Sequence, residues 1–235
     1  MIDVTSPGST VQRRSYHSPV REESARRTRQ IILVAAHELF VEHGYAQTSV
    51  ADIASAAGVA RPTVLAVFAS KAALLRAVTD VAMAGDDEPV VISERAWFRP
   101  VFTATTQADS LDAYARACTR INHGSAEVIE LVRRAADETP ENADLWDQVQ
   151  SNRRHGAVTV VRHIRSLGPL RPGTTAERAA DQLWVLNDPA LYRSLVTDRQ
   201  WSERTFTSWV SERMREVLVG DGSAPSTGRR PERSF

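Results

Sequence analysis

Cysteine is almost absent: Cys118 is the only one in 235 residues, so no internal disulfide can form. A chain without that cross-link is expected to work in a reducing cytoplasm, with Cys118 as a small buried residue on a helix. Lysine is equally scarce, with Lys71 alone among 29 basic residues. No apolar run approaches the ~20 residues a membrane-spanning helix needs. The N-terminal stretch MIDVTSPGSTVQRRSYHSP lacks the apolar segment of a secretory signal. No charge imbalance announces an acidic or basic partner, because 29 acidic residues offset the 29 basic ones. Catalytic signatures are missing too: there is no HExxH, no phosphate-binding glycine loop and no GxSxG. Six scattered histidines, with His37 and His43 on different helix faces, make no metal site. An enzyme is therefore not expected, and neither is a metal or other cofactor.

What is present is helical periodicity. Residues 48–75, TSVADIASAAGVARPTVLAVFASKAALL, read as two short helices around a tight turn, with a third behind them. Ser49 is a good N-cap and places Asp52 at the third helical position, where its charge suits the helix N-terminus. Val50, Ile53, Ala54 and Ala57 then share one face. Gly58 breaks that helix and supplies the positive φ a turn requires. Pro62 falls in the first turn of the next helix, where a missing N–H costs nothing. Ser70 caps a further helix carrying Leu74, Leu75 and Val78, which Gly85 closes. Helix, glycine turn and short second helix together form a helix-turn-helix pattern.

Around this core the residues resemble the tetracycline-repressor (TetR) family of bacterial regulators. The similarity runs from about Arg27 to Val81 and includes Ile31-Ile32-Leu33, Leu39-Phe40, Gly44-Tyr45, Thr48-Ser49-Val50, Ala57-Gly58-Val59, Pro62-Thr63 and Ser70-Lys71. The resemblance implies double-stranded DNA with a palindromic operator as partner. Ala60, Arg61, Pro62, Thr63 and Val64 open the second helix, whose early residues reach base edges in the major groove. Arg61 is the one side chain there able to grip guanine with two hydrogen bonds. Thr48 and Ser49 sit at a helix N-terminus that can receive a phosphate. Lys71 matches the family's phosphate-contacting lysine, and Arg26 and Arg27 stand where relatives approach the DNA backbone. One departure stands out. Where the family commonly has polar aromatics, this chain has Leu65 and Val67, which cannot touch phosphates. Over residues 21–76 seven basic residues face five acidic ones, so placement rather than net charge has to supply affinity.

The remainder also reads as helical, with no strand-like alternation, and the expected fold is all-α. Residues 1–20 are expected to be a disordered arm and 21–85 the DNA-binding domain, a three-helix unit around the helix-turn-helix. Residues 86–220 are expected to form a helical ligand-binding and dimerisation domain, and 221–235 a disordered tail. Within it, apolar stripes lie over Leu111–Ile121, with a break near Gly124, and over Val128–Ala135. A long helix opens at Thr139-Pro140 and ends at Gly168. Thr174 with Glu177 suggests a capping box for the next helix, and Ser202 caps a last one that Gly220 closes. The resemblance implies homodimerisation through the two C-terminal helices, with Leu183, Trp184, Phe206, Trp209, Val210, Met214 and Val217 as interface candidates. It further implies a small-molecule effector among the middle helices. Trp97, Arg134, Trp146, Asn152, His155 and Trp184 are candidates there, as large apolar surfaces or as polar groups interrupting apolar faces. The reading is a ligand-responsive repressor. The alternative is a helical ligand-binding or protein-interaction module with weak or lost DNA binding.

Overall fold

The computed structural model describes residues 19–219, and the expected arm, tail and Gly220 stop lie outside them except for Pro19 and Val20, which are helical. The elements are α1 (Pro19–Gln47), α2 (Val50–Ala56), α3 (Arg61–Phe68), α4 (Lys71–Ala84), α5 (Pro100–Thr103), α6 (Gln107–Ala135), α7 (Pro140–Leu167), α8 (Ala176–Leu186), α9 (Pro189–Tyr192) and α10 (Glu203–Leu218). A 3-10 turn at Ile92–Glu94 and a π-helical stretch at Arg193–Asp198 complete them. Among the described residues there is no strand, and no single helix is long and apolar enough to cross a membrane.

Capping residues set most boundaries. Ser49, Ser70, Thr106, Thr139 and Ser202 each accept the amide of the residue three further on. Each such cap is worth ~1 kcal/mol of helix stability. Two expectations need correction. The cap of α8 is Thr175, not Thr174, because the Thr175 hydroxyl is the one that reaches Arg178 N. Gly124 does not interrupt α6, which runs unbroken through it. A helical glycine costs only about 1 kcal/mol, and here it lets α4 come close: a Cβ on Gly124 would stand 2.8 Å from the carbonyl oxygen of Ala82. Gly44 is a real break, with φ +81° kinking the end of α1.

Two hydrophobic cores follow from the stripes. Ile32, Ala36, Phe40, Ile53, Val64, Leu74 and Leu75 build the first, and Val128, Val132, Leu145 and Val149 from α6 and α7 close it. Leu111, Tyr114, Val160, Ile164, Leu183, Phe206, Met214 and Leu218 build the second. Each fully buried aliphatic or aromatic side chain contributes ~1.5–3 kcal/mol. Helix α6 enters both cores, its first half in the second and its last turns in the first. The N-terminal helices are thus bolted to one end of a long helix whose other end belongs to the C-terminal bundle.

Candidate nucleic-acid interface and the cavity behind it

Ser49 and Asp52 form a reciprocal capping box: Ser49 Oγ accepts from Asp52 N at 3.1 Å, and Asp52 Oδ2 accepts from Ser49 N at 2.9 Å. The hydrogen bond from the Ser49 side chain, then that from its backbone, lowers the Asp52 pKa. Gly58, at φ +65°, turns the chain, and α3 leaves α2 at 107°, within the ~90–120° range of helix-turn-helix units. Helix α3 has two faces. Val64 and Phe68 are buried against the first core, whereas Ala60, Arg61 and Pro62 are exposed and Thr63 is half-exposed. Arg61 has neither an ion pair nor a hydrogen bond among the described residues, so its guanidinium is available to a ligand outside the protein.

Not every expected contact lies on that surface. Val64 is 1% exposed and holds α3 to the core, so it cannot meet a base. Thr48 is equally buried, its hydroxyl facing the carbonyls of Gly44 (2.8 Å) and Leu39 (3.0 Å). Its job is to tie the end of α1 to the start of α2. Val67 is half-buried against the first core, and Leu65 is half-buried too. Ser49 is exposed but its oxygen already serves the cap. Lys71 is half-buried, with Nζ 3.9 Å from the centre of the Tyr45 ring. Burial lowers its pKa, against the opposing pull of Glu138. Arg27 is exposed, and Arg26, also exposed, pairs with Glu23 at 2.7 Å.

Arg29 does something the sequence does not announce. Its Nε and Nη2 reach the Asp87 carboxylate at 2.6 and 3.2 Å, and its guanidinium stacks 4.6 Å from the centre of the Phe68 ring. The neighbouring carboxylate, Asp86, takes both terminal nitrogens of buried Arg95. Two adjacent aspartates after α4 therefore clasp different partners: one holds α1 and, through stacking, α3, while the other holds the segment leading to α5.

That segment covers one side of an open cavity of about 1850 Å³. Arg29 from α1 and Asp80 from α4 line it, as do Phe98 and Phe102, Tyr114 and Asn122 from α6, and Arg153 from α7. Of the six ligand candidates, Asn152 and His155 are at this wall. The other four are elsewhere. Trp97 lies under Arg120, 5.1 Å from its guanidinium carbon. Arg134 pairs with Glu130 at 2.8 Å, Trp146 packs on the first core, and Trp184 packs on the second beneath Arg153. Arg153 is buried, donating to Gln150 Oε1, Trp184 O and Asp188 Oδ2 at 2.6, 3.0 and 3.2 Å. Asn187 donates to the Tyr114 hydroxyl at 3.3 Å. Burial pushes the Tyr114 pKa well up and that of neighbouring Cys118 up to about 12, so neither ionises near neutrality. Asn122, interleaved among the apolar residues of α6, was a further signal for this wall. Among the described residues no group of three His, Cys, Asp or Glu side chains could hold a metal.

Four of the seven interface candidates are consumed inside the protomer: Leu183, Phe206, Val210 and Met214 are at most 1% exposed. Trp184, Trp209 and Val217 remain half-exposed on α8 and α10, and Val185 beside them is 53% exposed.

Comparison with known proteins points the same way as the geometry. The family model described as bacterial regulatory proteins, tetR family, matches residues 32–78, which take in α2, α3 and most of α1 and α4. No curated protein matches the chain in sequence. Among solved structures it is similar to native NalD, the secondary repressor of the MexAB-OprM multidrug efflux pump in Pseudomonas aeruginosa. That match has 23% identity and a TM-score of 0.64, covering 84% of this chain and 99% of the other. The fatty acid degradation regulator FadR of Bacillus halodurans is 19% identical with a TM-score of 0.62, over 82% and 95% of the two chains. A transcriptional regulator from Saccharomonospora viridis, solved with choline, is 18% identical with a TM-score of 0.61, over 82% and 98%. At these identities the structures share the fold, while the helix-turn-helix is matched by sequence. Residues 32–78 carry the helix-turn-helix of the tetR family of bacterial regulatory proteins within an all-α fold, and the chain is a DNA-binding transcriptional regulator.

Proposed function

We propose that the protein is a ligand-responsive repressor that binds a palindromic operator as a homodimer. The observation that carries this reading is the position of the cavity. Its walls come on one side from α1 and α4, which hold α3 in place, and on the other from α6 and α7. A molecule bound there touches both the DNA-binding helices and the bundle, so it can favour one relative placement of the two recognition helices over another. Such control requires that the ligand bind the two placements with different affinity. A single α3 offers few base-reading groups, and dimers bind two half-sites a helical turn apart. The half-exposed face of Trp184, Val185, Trp209 and Val217 supports α8 and α10 as the pairing surface, an isologous contact that suits an operator with two-fold symmetry.

The test is selection of duplexes from a random pool by the purified chain, followed by fluorescence anisotropy on the enriched sequence across a salt series. A repressor of this kind enriches a palindrome, and its affinity falls steeply with salt as counterions are released. Enrichment of no sequence by folded protein would overturn the reading and favour a ligand-binding module that has lost DNA affinity.

A further inference from the structure

The charges around the cavity do not balance. Its lining arginines are each already engaged: Arg29 by Asp87, Arg153 by Asp188 and Arg26 by Glu23. Asp86 on the same wall is taken by Arg95. Asp80 and Glu88 are left over, lining the cavity with no ion pair among the described residues. Asp80 is exposed where it lines the cavity; desolvation there raises its pKa, while Arg76 and Arg29 lower it without reaching ion-pair distance. A second, independent group points inward. Asn122 is 2% exposed, lines the same cavity and has no hydrogen-bond partner among the described residues. Its amide opens onto the cavity and is free to bond a molecule bound there.

We propose that the cavity takes an amphipathic organic cation, with Asp80 as its counter-charge, the aromatic wall of Phe98 and Phe102 against its apolar body, and Asn122 bonding any polar group it carries. An anion would meet two carboxylates that have no ion pair and no free arginine. A cation meets a carboxylate with no ion pair, exposed to the open cavity, together with aromatic faces, both of which favour positive charge. Asp80 also lies on α4, so occupancy is felt by the helix that follows the recognition helix. The proposal rests on the reading of this cavity as the effector site.

The experiment uses two probes of nearly the same shape and opposite charge, tetraphenylphosphonium and tetraphenylborate, titrated calorimetrically into the full chain. The phosphonium is expected to bind at least tenfold more tightly than the borate. Asp80→Asn is expected to weaken phosphonium binding at least tenfold, ~1.4 kcal/mol, and Asp80→Glu to restore most of it. Melting curves of both variants establish that they are folded. Equal or reversed preference between the probes, no binding of the phosphonium, or full binding by Asp80→Asn would overturn the proposal. The readout contains no DNA, so the two ideas separate. Asp80-dependent phosphonium binding that leaves the operator complex intact would sustain the cation site and sink the effector reading, whereas operator release by uncharged compounds alone would do the reverse.

Discussion

Gly124→Ala sets two known effects against each other. Alanine in a helix interior is better than glycine by ~0.5–1 kcal/mol, and position 124 lies well inside α6. Against this, the added Cβ would sit 2.8 Å from Ala82 O, a backbone atom of α4. Ordinary C···O contacts begin at about 3.3 Å, so α4 must retreat by about half an ångström. Overpacking of that kind costs ~1–3 kcal/mol, so the net change runs from about zero to ~2.5 kcal/mol of destabilisation. For a chain of this size each kcal/mol moves the melting point by ~2–4 °C, so a fall of a few degrees is expected. Gly156→Ala is the matched control. It is also inside a helix, but its Cβ would meet nothing within 4 Å, so propensity alone acts and the melting point should rise by about 1–4 °C. Thermal unfolding by circular dichroism, at one protein concentration for all three proteins, reads both. If Gly124→Ala is stabilised as much as Gly156→Ala, then α4 and α6 do not touch there and the close packing that couples them is wrong. If the clash is real, retreat of α4 also displaces α3, and operator affinity falls along with the melting point.

Three further outcomes are expected. Arg61→Ala should cost ~1–3 kcal/mol on the selected operator and relax base preference at one position per half-site, whereas Lys71→Ala should weaken all duplexes alike; competition with single-base variants separates the two. Glu130, bonded by Arg133 and Arg134 and paired with Arg193, has its pKa lowered from 4.5 to about 2, first by the Arg133 hydrogen bonds. A depressed carboxylate stabilises the folded state fully above its unfolded pKa and loses that contribution as pH falls toward the folded one. The melting-point gap between the native protein and Glu130→Gln should therefore be constant near neutrality and narrow below pH 4.5; a gap that widens in acid refutes the assignment. Cys118, with its thiol pushed up to about 12 by burial, should resist a thiol-reactive dye at pH 8 in the folded protein and react at once in denaturant.

Local signals made the DNA-binding helices legible. Ser49, Gly58, Pro62, Ser70 and Gly85 each act within a turn of chain, and each ended or began a helix where its chemistry says it should. The same holds for Thr139 and Ser202 in the C-terminal half. Periodicity marked Ile32, Ile53, Leu74 and Leu111 as inward-facing, and all are buried. Which partner a buried face meets is another matter. Val64 and Thr48 sit at positions where a surface role was expected, yet tertiary packing took both inside. Phe206 and Met214 were expected as dimer contacts and lie in the core instead, because an apolar stripe carries no label for the surface it will cover.

Long-range pairing stayed out of reach for the same reason. Arg29 and Asp87 are 58 residues apart, and Arg153 and Asp188 are 35 apart; nothing local distinguishes them from solvated charges. The cavity is assembled from α1, α4, α6, α7 and a segment that has no periodicity at all. The sequence by itself determined the helices, their caps and the helix-turn-helix, since these depend on interactions within a few residues of chain. Only the tertiary structure decided which arginines are spent on carboxylates, which apolar faces remain uncovered and where a carboxylate is left without a partner. Those outcomes depend on which distant segments the packed helices bring within an ion pair's reach.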